Sequence, residues 1–114
     1  LGSKVLKEVA DAMAARLTPE DRLVRYGGDE FVILMENCHK RLAVERSEEL
    51  RKAIARTRFL ESEGLFVNVT ASFGLATYPQ DASTREELMR LADHSMFASK
   101  ERGKNRVTVY GIPF

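Results

Sequence analysis

Apolar residues recur over residues 3–17 at three- and four-residue spacing, as Leu6, Val9, Ala10, Met13 and Leu17. That stripe predicts an amphipathic helix, with Ser3 placed to cap its start. Thr18-Pro19-Glu20-Asp21 breaks the pattern, since proline cannot continue a helix. Two apolar runs follow, Leu23-Val24 and Phe31-Val32-Ile33-Leu34-Met35, separated by Gly27-Gly28. They predict a β-hairpin with strands near 22–26 and 30–36, its tight turn using glycine at positive φ. A second helical pattern covers 40–60, with Leu42, Ala43, Leu50, Ala53, Ile54 and Thr57 facing inward. Its charges read as a solvated face with i,i+4 pairs such as Glu48–Lys52.

A turn from Glu61 to Gly64 precedes a period of two over 67–76. Val67, Val69, Ala71, Phe73 and Leu75 alternate with Asn68, Thr70, Ser72, Gly74 and Ala76. The small face of this strand is either solvated or kept low so that a ligand or helix can lie close. Tyr78-Pro79-Gln80-Asp81 closes it. Ser83 with Glu86, or Thr84 with Glu87, forms a capping box for a helix reaching about Arg102. Leu88, Leu91, Ala92, Ser95, Met96 and Ser99 face inward, and Gly103 is the stop. Val107, Val109 and Tyr110 make a last short strand. The order α-β-β-α-β-α-β predicts an α+β fold with helices packed on a mixed or antiparallel sheet.

At 114 residues the chain is one domain, 1–114, with ordinary globular composition of 44% hydrophobic and 31% charged residues. A net charge of +1 argues against a nucleic-acid partner, which needs a basic excess. No apolar stretch approaches the roughly 20 residues that span a bilayer, so no direct membrane insertion is expected. Cys38, the one cysteine, permits no internal disulfide and fits a reducing, cytoplasmic setting, compatible with a membrane-attached parent. The chain opens at Leu1 rather than methionine, so we expect a piece of something larger or a trimmed chain.

Two clusters are surplus to folding. A hairpin tip needs only turn formers, yet Asp29 and Glu30 place paired carboxylates there, suggesting cation or proton chemistry. Lys100, Arg102, Lys104 and Arg106 put four cations in seven residues at a helix C-terminus. Positive charge there complements the helix dipole, and Lys100 and Lys104 would also project close enough to grip phosphates. His39 and His94 have no metal-ligand spacing around them; His39 reads as a loop or capping residue and His94 as surface.

Together these segments resemble the GGDEF domains, the diguanylate cyclases that join two GTP molecules into cyclic di-GMP. Arg25-Tyr26-Gly27-Gly28-Asp29-Glu30-Phe31 is similar to the family signature. Ser72-Phe73-Gly74-Leu75-Ala76, the stretch Ala92 to Lys100, and Gly103-Lys104-Asn105-Arg106-Val107 resemble further family segments in the same order. The resemblance implies a ferredoxin-like, nucleotidyl-cyclase-like core. It also implies Gly27 and Gly28 at the triphosphate, Asp29 as a Mg²⁺ (or Mn²⁺) ligand, Glu30 polarising or reading the nucleotide, and Lys100 and Lys104 on the phosphates. The partners implied are GTP, a second GGDEF domain in a homodimer, and an upstream sensory or receiver domain.

The sequence departs from the family pattern at four places. The family's opening strand and helix, with a further metal carboxylate and a guanine-reading Asn, have no counterpart, so the domain is expected to be N-terminally incomplete and inactive alone. Ser3 stands at a guanine-side position where the family has Asp, unless Gly2-Ser3 is a cloning scar; a serine there would weaken guanine binding. In the product-inhibition motif Thr18 replaces Arg and only Asp21 remains, so inhibition by cyclic di-GMP at that site should be lost. Lys104 replaces a commoner Arg. The expected function is therefore a diguanylate cyclase domain needing completion. The alternative is a weakened GGDEF-like module that binds GTP or a protein partner for regulation, and the last is a purely structural role for the hairpin.

Overall fold

A computed structural model describes residues 2–112. The elements follow the expected order, as α1 (Ser3–Ala14), β1 (Asp21–Gly27), β2 (Glu30–Met35), α2 (Lys40–Arg56), a 3₁₀ turn (Glu61–Glu63), β3 (Phe73–Leu75), α3 (Arg85–Glu101) and β4 (Val107–Val109). α1 buries Val5, Leu6, Val9 and Met13, so Leu6, Val9 and Met13 of the expected stripe are buried and Val5 joins them, while Ala10 and Leu17 are half-buried. Its N-cap is Gly2, with no side-chain cap bond, so Ser3 is the first helical residue and not the cap. The helix ends at Ala14, before the proline rather than at residue 17.

α2 buries Ala43, Ser47, Leu50, Ala53 and Ile54. Leu42, expected inside, is 39% exposed, because the buried stripe runs through Ser47 instead. The helix stops at Arg56: Thr57 turns to extended backbone, which frees Phe59 to bridge Val67 through two backbone hydrogen bonds of 2.9 and 3.0 Å. Its N-cap is His39, whose Nδ1 accepts from the Leu42 amide at 3.2 Å, so this histidine does fold-making work. Thr84 caps α3 in the second of the two capping registers: its Oγ1 accepts from the Glu87 amide at 3.1 Å, and Glu87 Oε1 accepts from the Ser83 amide at 3.0 Å.

β1 and β2 pair antiparallel, from Asp21 opposite Met35 to Arg25 opposite Phe31, with a register shift before Gly27 meets Glu30. Neither Gly27 nor Gly28 has φ in the left-handed region, contrary to the expected positive-φ turn. The irregularity between Arg25 and Gly27 supplies the local twist that a primed turn would otherwise provide. β3 and β4 pair parallel, which requires a crossover, and α3 provides it.

The core joins Val5, Val9 and Met13 of α1 to Leu50 and Ile54 of α2 and to Phe59. Leu23, Phe31, Ile33 and Met35 of the hairpin and Val67, Val69, Ala71 and Phe73 pack against it. The alternation over 67–75 thus has its large face on α1 and α2. At Gly74 its small face meets α3, since a Cβ there would lie 2.1 Å from Ala92 O and Met96 N, while Asn68 and Thr70 of the same face are exposed. On that face Ser99 Oγ donates to Phe73 O at 2.7 Å and lies 2.6 Å from Thr108 Oγ1.

The two ladders do not join into one sheet among the described residues. Only Phe73–Leu75 of the expected 67–76 strand is in a ladder, because residues 68–72 have no strand beside them to complete one. Between β2 and this segment lies a cavity of about 1340 Å³. Apolar side chains such as Leu6, Met13, Ile33, Val69, Leu88 and Met96 line it.

Candidate nucleotide site

Of the hairpin turn, Asp29 and Glu30 line that cavity, while Gly27 and Gly28 precede them in the chain and lie outside the lining. Arg25 braces the turn, its Nε donating to the Gly28 carbonyl at 3.1 Å. A Cβ on Gly27 or Gly28 would meet nothing within 4 Å. Their lack of a side chain therefore leaves open space above the backbone, where a large anion can come close to the amides. Asp29 is exposed and Glu30 half-buried, and both line the cavity.

From the other ladder come Lys100, in the last turn of α3, and Lys104, in the loop before β4. Both line the same cavity as Asp29 and Glu30. Asp93 of α3 joins them. It lies inside a segment that the sequence marks, but helical spacing alone gives it no role.

Lys104 stands in an unusual backbone. Gly103, Lys104 and Asn105 have φ of 116, 63 and 48°, three successive residues in the left-handed region. The non-glycine members of such a run are strained and persist only where neighbours hold them. The Lys104 amide donates to Ser99 O at 2.9 Å, and Arg106 Nε donates to Lys104 O at 3.2 Å.

Two expected positions lie elsewhere. Ser3 is exposed on the first turn of α1, outside the cavity lining. Asp21 opens β1 and is fully engaged within the chain. Its carboxylate accepts from the Thr18 amide at 2.7 Å, from Thr18 Oγ1 at 3.1 Å and from Arg46 Nη1 at 3.2 Å, with a second bond from Arg46 Nη2. Arg46 sits on the helix face that sequence reading treats as solvated, and nothing in the spacing of residues signals this pair. Its bonds to Asp21, outweighing burial, and the Thr18 bonds hold that carboxyl at about 2, against an ordinary 3.8. A depressed carboxyl contributes stability above its unfolded pKa and loses it as pH falls through the folded one. The denaturation midpoint should therefore drop between roughly pH 4 and pH 2, and Asp21→Asn should flatten that drop while lowering stability at pH 7. Chemical unfolding at a series of pH values checks this.

The pairing expected as Glu48–Lys52 is instead Glu48–Arg51. Arg51 Nε lies 3.2 Å from both carboxylate oxygens and Nη2 donates to Oε2 at 2.9 Å. A guanidinium matches both oxygens at once where an ammonium cannot, which is why the three-residue spacing wins.

Among the described residues no group of three or more His, Cys, Asp or Glu converges as a metal cage. Asp29 and Glu30 are hard oxygen donors, and Mg²⁺ is commonly held by one or two carboxylates with waters and substrate phosphates. These carboxylates fit such an ion and do not fit an all-protein metal centre. No described helix is long and apolar enough to cross a membrane.

Comparison with known proteins shows the family of the chain. The family profile described as "Diguanylate cyclase, GGDEF domain" matches residues 1–106. The bifunctional diguanylate cyclase/cyclic di-GMP phosphodiesterase MucR of Pseudomonas aeruginosa is 39% identical over 105 residues, covering 92% of this chain and 15% of that protein. Diguanylate cyclase A of Treponema denticola is 32% identical over 108 residues, covering 95% of this chain and 29% of that protein. The crystal structure of the GGDEF domain of YfiN (TpbB) from Pseudomonas aeruginosa superposes with a TM-score of 0.87 at 26% identity, covering 96% of this chain and 68% of that one. The chain thus spans under a third of each of these two curated relatives.

Proposed function

Because the chain belongs to the GGDEF family of diguanylate cyclase domains, we propose that it binds GTP between the hairpin tip and the α3–β4 loop, as one half of a diguanylate cyclase. The observation that carries the reading is that Asp29 and Glu30 of the hairpin and Lys100 and Lys104 of the α3–β4 segment all line one cavity. Gly27 and Gly28 let the triphosphate approach backbone amides. Lys100 and Lys104 neutralise its charge and hold it in one orientation. Asp29 would hold a divalent cation, Mg²⁺ or Mn²⁺, which when bound supplies charge stabilisation to the phosphates. Glu30 polarises or reads the bound nucleotide.

The reaction is attack of the 3′-hydroxyl of one GTP on the α-phosphorus of the other. A 3′-oxygen–phosphorus bond forms, the hydroxyl proton is lost, and the bond to the bridging oxygen breaks to release pyrophosphate. A second such step closes the ring. The chain's residues position and neutralise rather than form covalent intermediates. Each domain holds one GTP, so two domains face each other in a symmetric homodimer. The parent protein would supply an upstream sensory or receiver domain, and a cytoplasmic site gives access to GTP.

The open cavity between β2 and residues 67–75 supports a further expectation, that this domain is completed by another strand. Unpaired strand edges and half-buried apolar side chains on both sides, such as Ile33 and Val69, are what an inserted strand would satisfy. The chain without it should be inactive. The test is conversion of GTP to cyclic di-GMP with Mg²⁺ by the full-length parent protein at high enzyme concentration. Absence of product would overturn the enzymatic reading. The regulatory alternative is favoured by Ser3 lying outside the cavity, since a lost guanine contact weakens substrate binding; GTP binding by calorimetry without turnover would select it.

Product inhibition is expected to be absent at the Thr18–Asp21 position. Threonine offers no guanidinium, and the Asp21 carboxylate is already taken by Arg46 and Thr18. Initial rates should be insensitive to added cyclic di-GMP at concentrations that compete poorly with GTP at the active site.

A further inference from the structure

Lys104 is held in its strained backbone by a contact that reaches outside its own loop. Asn105 Oδ1 accepts from Arg51 Nη1 at 3.0 Å, and Arg51 is itself fixed by the Glu48 carboxylate through its Nε and Nη2. Glu48 and Arg51 lie on α2, more than forty-five residues before the loop in sequence, and the bond to Asn105 spans 54 positions. The Glu48 carboxyl is pushed below its ordinary value, first by its bonds to Arg51, so it remains a charged anchor at neutral pH. Arg51 is partly buried and does not line the cavity. Its fork is spent on one carboxylate and one amide oxygen.

We propose that Glu48, Arg51 and Asn105 form a positioning relay that fixes Lys104 for phosphate binding. This rests on the reading above, in which Lys104 contacts the nucleotide. The local bonds to Ser99 and Arg106 close the loop on itself, while the Asn105–Arg51 bond ties it to the second layer of the fold. The two left-handed residues, Lys104 and Asn105, would otherwise relax to more favourable backbone. A Lys104 ammonium on a relaxed loop would still be cationic but would spend less time at the phosphate. Without the relay the loss should therefore appear in GTP binding and not in the chemical step. None of the three is a catalytic residue.

Asn105→Gly separates the two roles of that residue, since glycine accepts the left-handed backbone without strain and lacks only the Oδ1 acceptor. In the full-length protein, Asn105→Gly and Arg51→Met should each raise KM for GTP about fivefold, with kcat within about twofold and the thermal midpoint little changed. The double variant should be no worse than either single one, because both cut the same link. Penalties that multiply in the double variant, or an unchanged KM in either single one, would overturn the relay. Lys104→Ala is the accompanying control. If it raises KM and the relay variants do not, only the relay fails; if it leaves KM unchanged, the phosphate role of Lys104 fails and the relay with it.

Discussion

Gly74→Ala should cost about 3–5 kcal/mol of folding stability, at the upper end of single substitutions. The new methyl carbon would sit 2.1 Å from both Ala92 O and Met96 N and 2.7 Å from Met96 Cα. All three are backbone atoms of α3, so no side-chain rotation relieves the clash. α3 would have to move away as a unit, and with it the Ser99 bonds to Phe73 and Thr108 that tie the helix to β3 and β4. A domain's whole net stability is roughly 5–15 kcal/mol, so a cooperative melt in the parent protein should shift downward by many degrees or vanish for this domain. Gly28→Ala is the contrasting case. It meets open space and has no left-handed φ, so the melt should be unchanged while GTP binding weakens. Loss of folding in Gly28→Ala, or a normal melt for Gly74→Ala, would contradict the packing described above.

Asp29→Asn should reduce turnover by roughly a thousandfold in the full-length protein, with little effect on the melt. The substitution keeps size and one acceptor oxygen and removes the charge, so the exposed hairpin tip loses no packing. What it loses is the hard anionic donor that a divalent cation prefers, in a reaction where charge stabilisation supplies most of the catalysis. Removing such a group commonly costs two to three or more orders of magnitude. Steady-state pyrophosphate release at saturating Mg²⁺ and GTP checks it. Partial recovery at higher metal concentration would place the defect in metal binding, and unaltered turnover would remove Asp29 from the site.

The layer order was legible because amphipathic spacing reports burial directly. Val9, Met13, Leu50 and Ile54 are core residues by spacing and by structure. The alternation of Val67 to Leu75 was equally plain, but its pairing was not, because a ladder needs a neighbour that spacing within one strand cannot supply. The candidate site was legible in a different way. Asp29, Glu30, Lys100 and Lys104 stood out as charges that folding did not require, and their order along the chain matched one family. What escaped was the set of contacts that depend on three-dimensional proximity alone. Arg46 and Arg51 sit among many charges of α2, and only the fold shows that one closes on Asp21 and the other on Asn105. The turn at Gly27-Gly28 was misread for a local reason, since two glycines between strands suggest positive φ where a register shift does the bending.

The two halves of the proposed nucleotide site ride on two ladders that share no backbone hydrogen bonds among the described residues and are joined through the common α1–α2 core. The carboxylates ride on the hairpin, and the lysines ride on the β3–α3–β4 unit. A strand seated between them would set the distance across which a nucleotide must reach, so its docking and nucleotide binding would share one free-energy coupling. By linkage, whatever factor the strand adds to GTP affinity, GTP must return to the affinity for the strand. A GTP-loaded domain would then resist loss of that strand, and an empty one would release it more readily.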